Sequence, residues 1–345
     1  MRGVLKMQWI RCRSETMFGK VGCEIVVSKW LRGWTREWIP GLCLAVALWS
    51  AGQSAVIAQD QEIADPENIA FESKGDNVVP VMLKCTYYPG VKDKKTTPVI
   101  IVHELGGRRA QVHQLALGLQ HTVINGVGFS VIVPDLRGHG ESTQLIGGGA
   151  LRYDKMKPAM FEAMGQDLEA CKRFLKEKNN AGELNLEQLC VIGIGEMGSM
   201  IAWKWTNLDW NWTPLPGLGK QGQDVKALVL VSPKNTFKGM GLKLDNPIVA
   251  SRLSTMIVCG ERDNEGEKFY DLLKAKHAPL PKTQEDQFKF QDLFLVNLEA
   301  AVSGPRLLDP NLGLNVNEKI IQFLNLRIVN KQDEFRWQDR TKKES

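Results

Sequence analysis

Gly128-Phe-Ser-Val-Ile-Val-Pro-Asp-Leu-Arg-Gly-His-Gly-Glu-Ser142 is the stretch that decides the fold. Its first half is a continuous apolar run of strand length, the mark of a strand buried on both faces. Its second half is a polar loop punctuated by Gly138 and Gly140. Apolar runs of the same kind recur on either side, at Pro98–Val102, Leu189–Ile192, Ala227–Val231, Thr255–Cys259 and Leu293–Val296. Helical segments separate them. Gln111–Asn125 reads as one helix and Val316–Val329 as the last. Met160, Met164, Leu168, Cys171 and Leu175 recur at helical spacing and predict another between them. Val79–Tyr88 is extended and partly alternating, and Lys234–Arg252 leaves room for a small lid. The alternation predicts an α/β domain of three layers, with a mostly parallel eight-stranded sheet and helices on both faces. Ligands meet such a sheet at the carboxyl ends of its strands.

The ends of the chain read differently. Of the net charge of +5, residues 1–58 hold all, with eight basic residues against three acidic ones. The rest of the chain is neutral overall, so it has no bulk attraction for nucleic acid or an anionic membrane. The basic leader runs into the apolar Leu42–Trp49 and then into Val56-Ile-Ala58 ahead of Gln59. Small residues three and one positions before a cut predict a signal peptide, and hence export to a periplasm or the exterior. The apolar run is short for a bilayer span. An uncleaved N-terminal anchor over 1–58, with membrane attachment, is the alternative, and Met17 is an alternative start. Residues 59–75 read as a polar linker, 76–329 as the domain and 330–345 as a charged, frayed tail.

Cys12, Cys23 and Cys43 lie in the leader; Cys85, Cys171, Cys190 and Cys259 are isolated in apolar surroundings and read as buried free thiols. No Cys-x-x-Cys or Cys/His cluster stands in the sequence, so neither a metal site nor a cofactor is expected.

Three loops carry the chemistry. Val102-His-Glu-Leu-Gly-Gly107 follows one buried strand, Pro134–Ser142 ends the next, and Gly260-Glu-Arg-Asp263 follows a later one. In this order and spacing, over about residues 78–328, they resemble the α/β-hydrolase family. The His-Glu-x-x-Gly form is similar to its dienelactone-hydrolase branch. The resemblance implies an oxyanion and binding set of His103, Glu104, Leu105 and Gly106 together with Met197, and a nucleophile elbow, G-x-S-x-G, after Ile192. Here the elbow reads Gly193-Ile-Gly-Glu-Met-Gly-Ser199. One register puts Glu196 at the nucleophile position; a shift of one puts Gly195 or Met197 there. None supplies Ser or Cys. Ser199 is one turn into the helix and reads as packing.

Asp263 matches the family's acid, and turn capping is its other reading. The family's histidine follows the last strand, where this chain has Ser303 or a neighbour, and no histidine occurs after His277. His103 and His139 read as structural members of their loops. A Ser without a base is a weak nucleophile, and an ester formed on Glu196 would need base-activated water to leave. The expectation is therefore a hydrolase-like chain lacking the Ser and His of the triad, non-catalytic, and binding a small molecule or protein. The alternative is an atypical ester hydrolase working through Glu196 and Asp263, with His103 or His139 recruited. Gly193-Ile-Gly-Glu-Met-Gly198 also fits G-x-G-x-x-G, a dinucleotide fingerprint. The next strand ends Val-Leu-Val-Ser-Pro233 with no acid for a ribose, which speaks against that reading. Trp203, Trp205, Trp210 and Trp212 read as packing, with an aromatic binding surface as the alternative.

Overall fold

The apolar runs are strands because each buries both of its faces. In β3 (Thr97–Val102) Ile100 and Val102 join one core cluster while Val99 and Ile101 join the other. In β5 (Leu189–Ile194) Leu189 and Val191 part in the same way from Cys190, Ile192 and Ile194. The computed structural model describes residues 63–75, 78–213 and 220–341, so the leader expectations fall outside the described residues.

With β1 (Glu67–Gly75), β2 (Val78–Tyr88), β4 (Phe129–Asp135), β6 (Val225–Val231), β9 (Ser254–Gly260) and β10 (Leu293–Leu298), these make one eight-stranded sheet. Its order is β1-β2-β4-β3-β5-β6-β9-β10. β2 runs antiparallel to β1 and β4; the pairings from β4 to β10 are parallel. The short β7 (Thr236–Phe237) and β8 (Met240–Gly241) form a separate ribbon. On one face of the sheet pack α2 (Pro158–Glu162), α3 (Gly165–Asn180), α4 (Gly195–Asn211), α5 (Pro247–Arg252) and α6 (Asn264–Lys274). On the other lie α1 (His113–Gln120) and α8 (Val316–Arg327), while α7 (Gln284–Phe290) leads into β10. The three-layer architecture expected from the sequence is the one found. Among the described residues no helix is long and apolar enough to cross a membrane, and the four described cysteines are free and buried.

Four local expectations need correction. The supposed linker over 59–75 holds β1, whose partly buried Ile69 and Phe71 pack on the core while Ser73 is buried. The periodic run from Met160 is two helices, and the second restarts so that Asp167 lies in its first turn. The helix expected over Gln111–Asn125 is a 3-10 turn plus α1. It stops at Gln120, after which Asn125 and Gly126, both at positive φ, reverse the chain. The charged tail over 330–345 is not frayed where it is described. The Phe335 and Gln338 carbonyls accept from Asn185 and Asn179 (2.8 and 2.9 Å), and the Arg340 guanidinium lies between Glu187 and Asp224.

Two buried charge clusters fasten the layers. The Arg137 guanidinium bonds Asp167 and Ser73, joining the loop after β4 to α3 and β1. Lys172 pairs with Asp209 and Asp224, and Asp224 meets Lys220 and Arg340 as well. Burial alone would raise the Asp224 carboxyl, yet Lys172, Lys220 and Arg340 together hold it down to about 2. The Arg340 side chain is only 4% exposed, and its removal takes one of their cations from the buried Asp224 and Glu187 carboxylates, leaving Lys220 to both and Lys172 to Asp224. Arg340→Ala is expected to lower stability by about 2 kcal/mol through its lost charged hydrogen bonds, read as a fall in the urea midpoint; an unmoved midpoint would mean the tail is detached in solution.

Candidate functional site

At the carboxyl end of β5 the chain turns straight into α4, and the residue at the apex is Gly195, with φ of +71°. That corrects the register that set Glu196 there. Glu196 is in the first turn of α4, half-buried, and its carboxylate has no hydrogen-bond partner among the described residues. The turn is tight on all sides. A Cβ on Gly193 would lie 2.6 Å from the Gly198 carbonyl oxygen, and one on Gly198 2.6 Å from that of Val102. Met197 and Ser199 are buried, and the Ser199 hydroxyl donates back to the Gly193 carbonyl (3.1 Å), as expected of packing.

The first N–H groups of a helix have no partner within it and attract negative charge. In α4 they are met by Glu104, from the loop after β3. One oxygen of its carboxylate accepts from the N–H of Met197 (3.2 Å) and from that of Leu105, and the Glu196 N–H also bonds the carboxylate. The other oxygen lies 1.4 Å from where a Cβ on Gly195 would stand. The carboxylate thus fills the space a nucleophilic side chain at Gly195 would need. Burial raises the Glu104 pKa, the three N–H groups oppose that, and the Glu196 charge adds to it.

His103 fixes this loop. Its Nδ1 donates to the Glu104 carbonyl (2.8 Å) and its Nε2 accepts from the Leu136 N–H (3.0 Å). Both nitrogens are spent, the ring is buried, and burial pushes the imidazole down to about 4. His139 donates from Nδ1 to the Arg137 carbonyl (3.1 Å), and its ring stacks on Tyr153 at 4.9 Å. Its Nε2 is buried without a partner. Neither histidine is hydrogen-bonded to Glu196 or Asp263. Tyr153 also covers the exposed Gly106, its hydroxyl 3.1 Å from where a Cβ there would lie.

The third loop group is closed on itself. Asp263 is buried, and its Oδ2 accepts from the Ser232 hydroxyl (2.5 Å) and the Gly260 N–H (3.1 Å). Ser232 in turn accepts from the Gly304 N–H (2.7 Å). So the loops after β6, β9 and β10 are joined by one hydroxyl. Ser303, beside Gly304, is exposed and makes no side-chain cap. Asp263 and Glu104 therefore belong to two separate hydrogen-bond groups, and the structure does not join them.

Chemically, the elbow presents donors already holding an acceptor of its own chain. A pyrophosphate at Gly193–Gly198 would meet the Glu104 carboxylate on the same N–H groups, which opposes the dinucleotide reading. No cluster of three or more His, Cys, Asp or Glu side chains arranged to hold a metal occurs among the described residues. Trp203 and Trp205 are buried, Trp203 and Trp210 spend their indole N–H groups on backbone carbonyls, and of these and Trp212 only Trp212 is exposed. Sequence reading named Glu104 as a loop member but gave no sign of its reach across to α4. It missed Ser232 and Tyr153, for which no local signal exists.

No family model matches the chain, and no curated protein matches it. Solved structures do. An α/β hydrolase from Penicillium sp. sh18 is 12% identical and superposes with a TM-score of 0.51, over 77% of this chain and 100% of that one. A fungal esterase from Rhizomucor miehei is 14% identical with a TM-score of 0.51, over 85% of this chain and 94% of that one. A Pyrobaculum calidifontis esterase is 14% identical with a TM-score of 0.51, over 78% and 87%. Likeness at this identity is one of architecture, and the fold of this chain is the α/β-hydrolase fold.

Proposed function

We propose that the chain is an exported protein of the α/β-hydrolase fold that does not catalyse ester hydrolysis and serves instead to bind a small molecule or protein. The observation that carries this reading is the Glu104 carboxylate within the elbow, against a Gly195 that offers no nucleophile. On this fold an oxyanion hole uses the N–H after the nucleophile and one from the loop after β3. The corresponding groups here, on Glu196 and Leu105, both bond Glu104. Two further observations support it. Asp263 is bound to a serine hydroxyl where a triad needs a histidine. His103, the histidine next to Glu104, has no nitrogen left to take a proton from a reacting group. Export rests on the leader pattern alone.

The alternative, a hydrolase using Glu196 and Asp263, gives a clear contrast. The purified protein is expected to leave acyl esters of short and long chains unhydrolysed, equally so as Glu196→Ala. Turnover by the unaltered protein that disappears in Glu196→Ala would replace this reading with the enzymatic one.

Gly195→Ser, the change that would restore a nucleophile, is expected to destabilise the fold by about 2 kcal/mol or more, through positive φ and collision with Glu104. Combined with Glu104→Ala, the cost is expected to be smaller than the two single costs added, by about 1 kcal/mol. Additive costs in urea unfolding would mean that Glu104 does not occupy the elbow.

His103 contributes to stability in a defined pH window. Its unfolded-state pKa is about 6.5 and its folded value about 4. Between those values the unfolded chain binds the extra proton, so stability falls as pH drops, by on the order of 3 kcal/mol across the window. His103→Gln is expected to show a flatter fall in stability from pH 7 to pH 4.5, the measurement being the urea midpoint against pH; identical slopes would place His103 in solvent.

A further inference from the structure

At the opposite, amino-terminal edge of the sheet, a cleft of about 810 Å³ opens between the end of α5, the end of α6 and the segment running through α7 into β10. It lies far along the sheet from the elbow, because β9 and β10 begin here and end there. Its walls are apolar and aromatic: Tyr270, Pro279, Leu280, Pro281, Phe290 and Leu293. Leu280 and Phe290 are about half exposed, at 47% and 55%, although large apolar side chains gain from burial.

The charged groups of this cleft that lack an ionic partner are cations. Arg252 closes α5 and Lys274 closes α6, and both line the cleft with no carboxylate partner among the described residues. Lys274 lies over the Tyr270 ring, 5.8 Å from its centre. The acid in the lining, Asp292, is already taken by Arg327 at 2.6 Å and by Lys331 at 3.9 Å. His277 donates from Nδ1 to the Leu273 carbonyl (2.9 Å), which leaves its buried Nε2 without a partner. Apolar walls of this volume with a few convergent polar groups are the usual make-up of a small-molecule site. Two cations without counter-ions decide the sign of what fits.

We propose that this cleft binds an aliphatic monocarboxylate, with its hydrocarbon chain along Leu280, Phe290 and Leu293 and its carboxylate at Arg252 and Lys274. The ammonium and guanidinium supply charge-assisted hydrogen bonds, and each methylene removed from water adds to affinity. A short carboxylate lacks the second contribution, and an alkyl cation meets repulsion in place of the first. This inference does not depend on the reading of the elbow.

The experiment is calorimetric titration of the full chain with dodecanoate below its micelle concentration. Butyrate and dodecyltrimethylammonium serve as the head-only and opposite-charge probes. One-to-one binding with a dissociation constant of roughly micromolar order is expected for dodecanoate, and none for the other two. Arg252→Gln with Lys274→Gln, both at exposed positions, is expected to weaken it by about tenfold or more. Leu280→Asp should abolish it, and Glu104→Ala should leave it unchanged, with circular dichroism verifying the fold of each variant. The proposal falls if dodecanoate shows no saturable binding or the alkyl cation binds as well. It falls equally if the charge variants bind like the parent, or if Glu104→Ala alone abolishes binding. Sedimentation with anionic phospholipid vesicles, without dodecanoate binding, would assign the cleft to a membrane surface and overturn it too.

Discussion

A helix that begins directly at the end of a buried strand leaves its first N–H groups pointing at the top of the sheet, and something must accept from them. Here the acceptor is the Glu104 carboxylate, brought from the loop after β3. Much of the neighbourhood follows from that one contact. Gly195 must lack a side chain because the carboxylate stands where its Cβ would be. The loop carrying Glu104 must be held at its base, and His103 does so by bonding the Glu104 carbonyl and the Leu136 N–H, which ties β3 to β4. The Pro134–Ser142 loop must be rigid to receive it. Asp135 accepts there from the N–H groups of Arg109 and Glu141 (2.6 and 3.0 Å), and Arg137 is anchored on Asp167.

The same economy holds across the sheet. Loops after parallel strands have to be fastened to one another, and a hydrogen-bonded Asp is a common fastener. Asp263 uses the Ser232 hydroxyl, which gives its single proton to the carboxylate and accepts from Gly304. A serine saturated in this way has no proton to exchange and no titration near neutral pH. An imidazole in its place would hold the loops equally well and would also shuttle protons. Ser232 therefore joins the three loops without exchanging protons.

Legibility in the sequence follows the range of each interaction. The sheet was readable because burial of both strand faces writes continuous apolar runs, as in β3 and β5. β1 was not, since an edge strand with Glu67, Glu72 and Lys74 on its outer positions has the composition of a linker. The tail was misread for a related reason: Arg340 looks solvated until its partners, Glu187 and Asp224, are brought to it from more than a hundred residues away. At the site, the expectation of an elbow without Ser and of no His after the last strand rested on residue types at the spacings of the family the chain resembles. The register of the elbow was not visible, because Gly195, Glu196 and Met197 differ there only in which residue takes the positive φ. The partner of Glu104 was invisible for the same cause as that of Arg340.

Unpaired groups in a folded chain are informative in proportion to how thoroughly the rest is paired. At the elbow the backbone donors around Gly195 are satisfied from within, and a ligand carboxylate would first have to expel Glu104 from the α4 N–H groups. The orphaned Nε2 of His139 beside it is closed in by the rings of His103 and Tyr153. At the amino-terminal edge, by contrast, Arg252 and Lys274 carry charge without a counter-ion, beside apolar side chains left in water. Both kinds of group improve on contact with one amphiphilic anion, whereas the elbow has nothing to gain from it. Free energy, more than the pedigree of the fold, therefore favours the amino-terminal edge of the sheet over the elbow for such an anion.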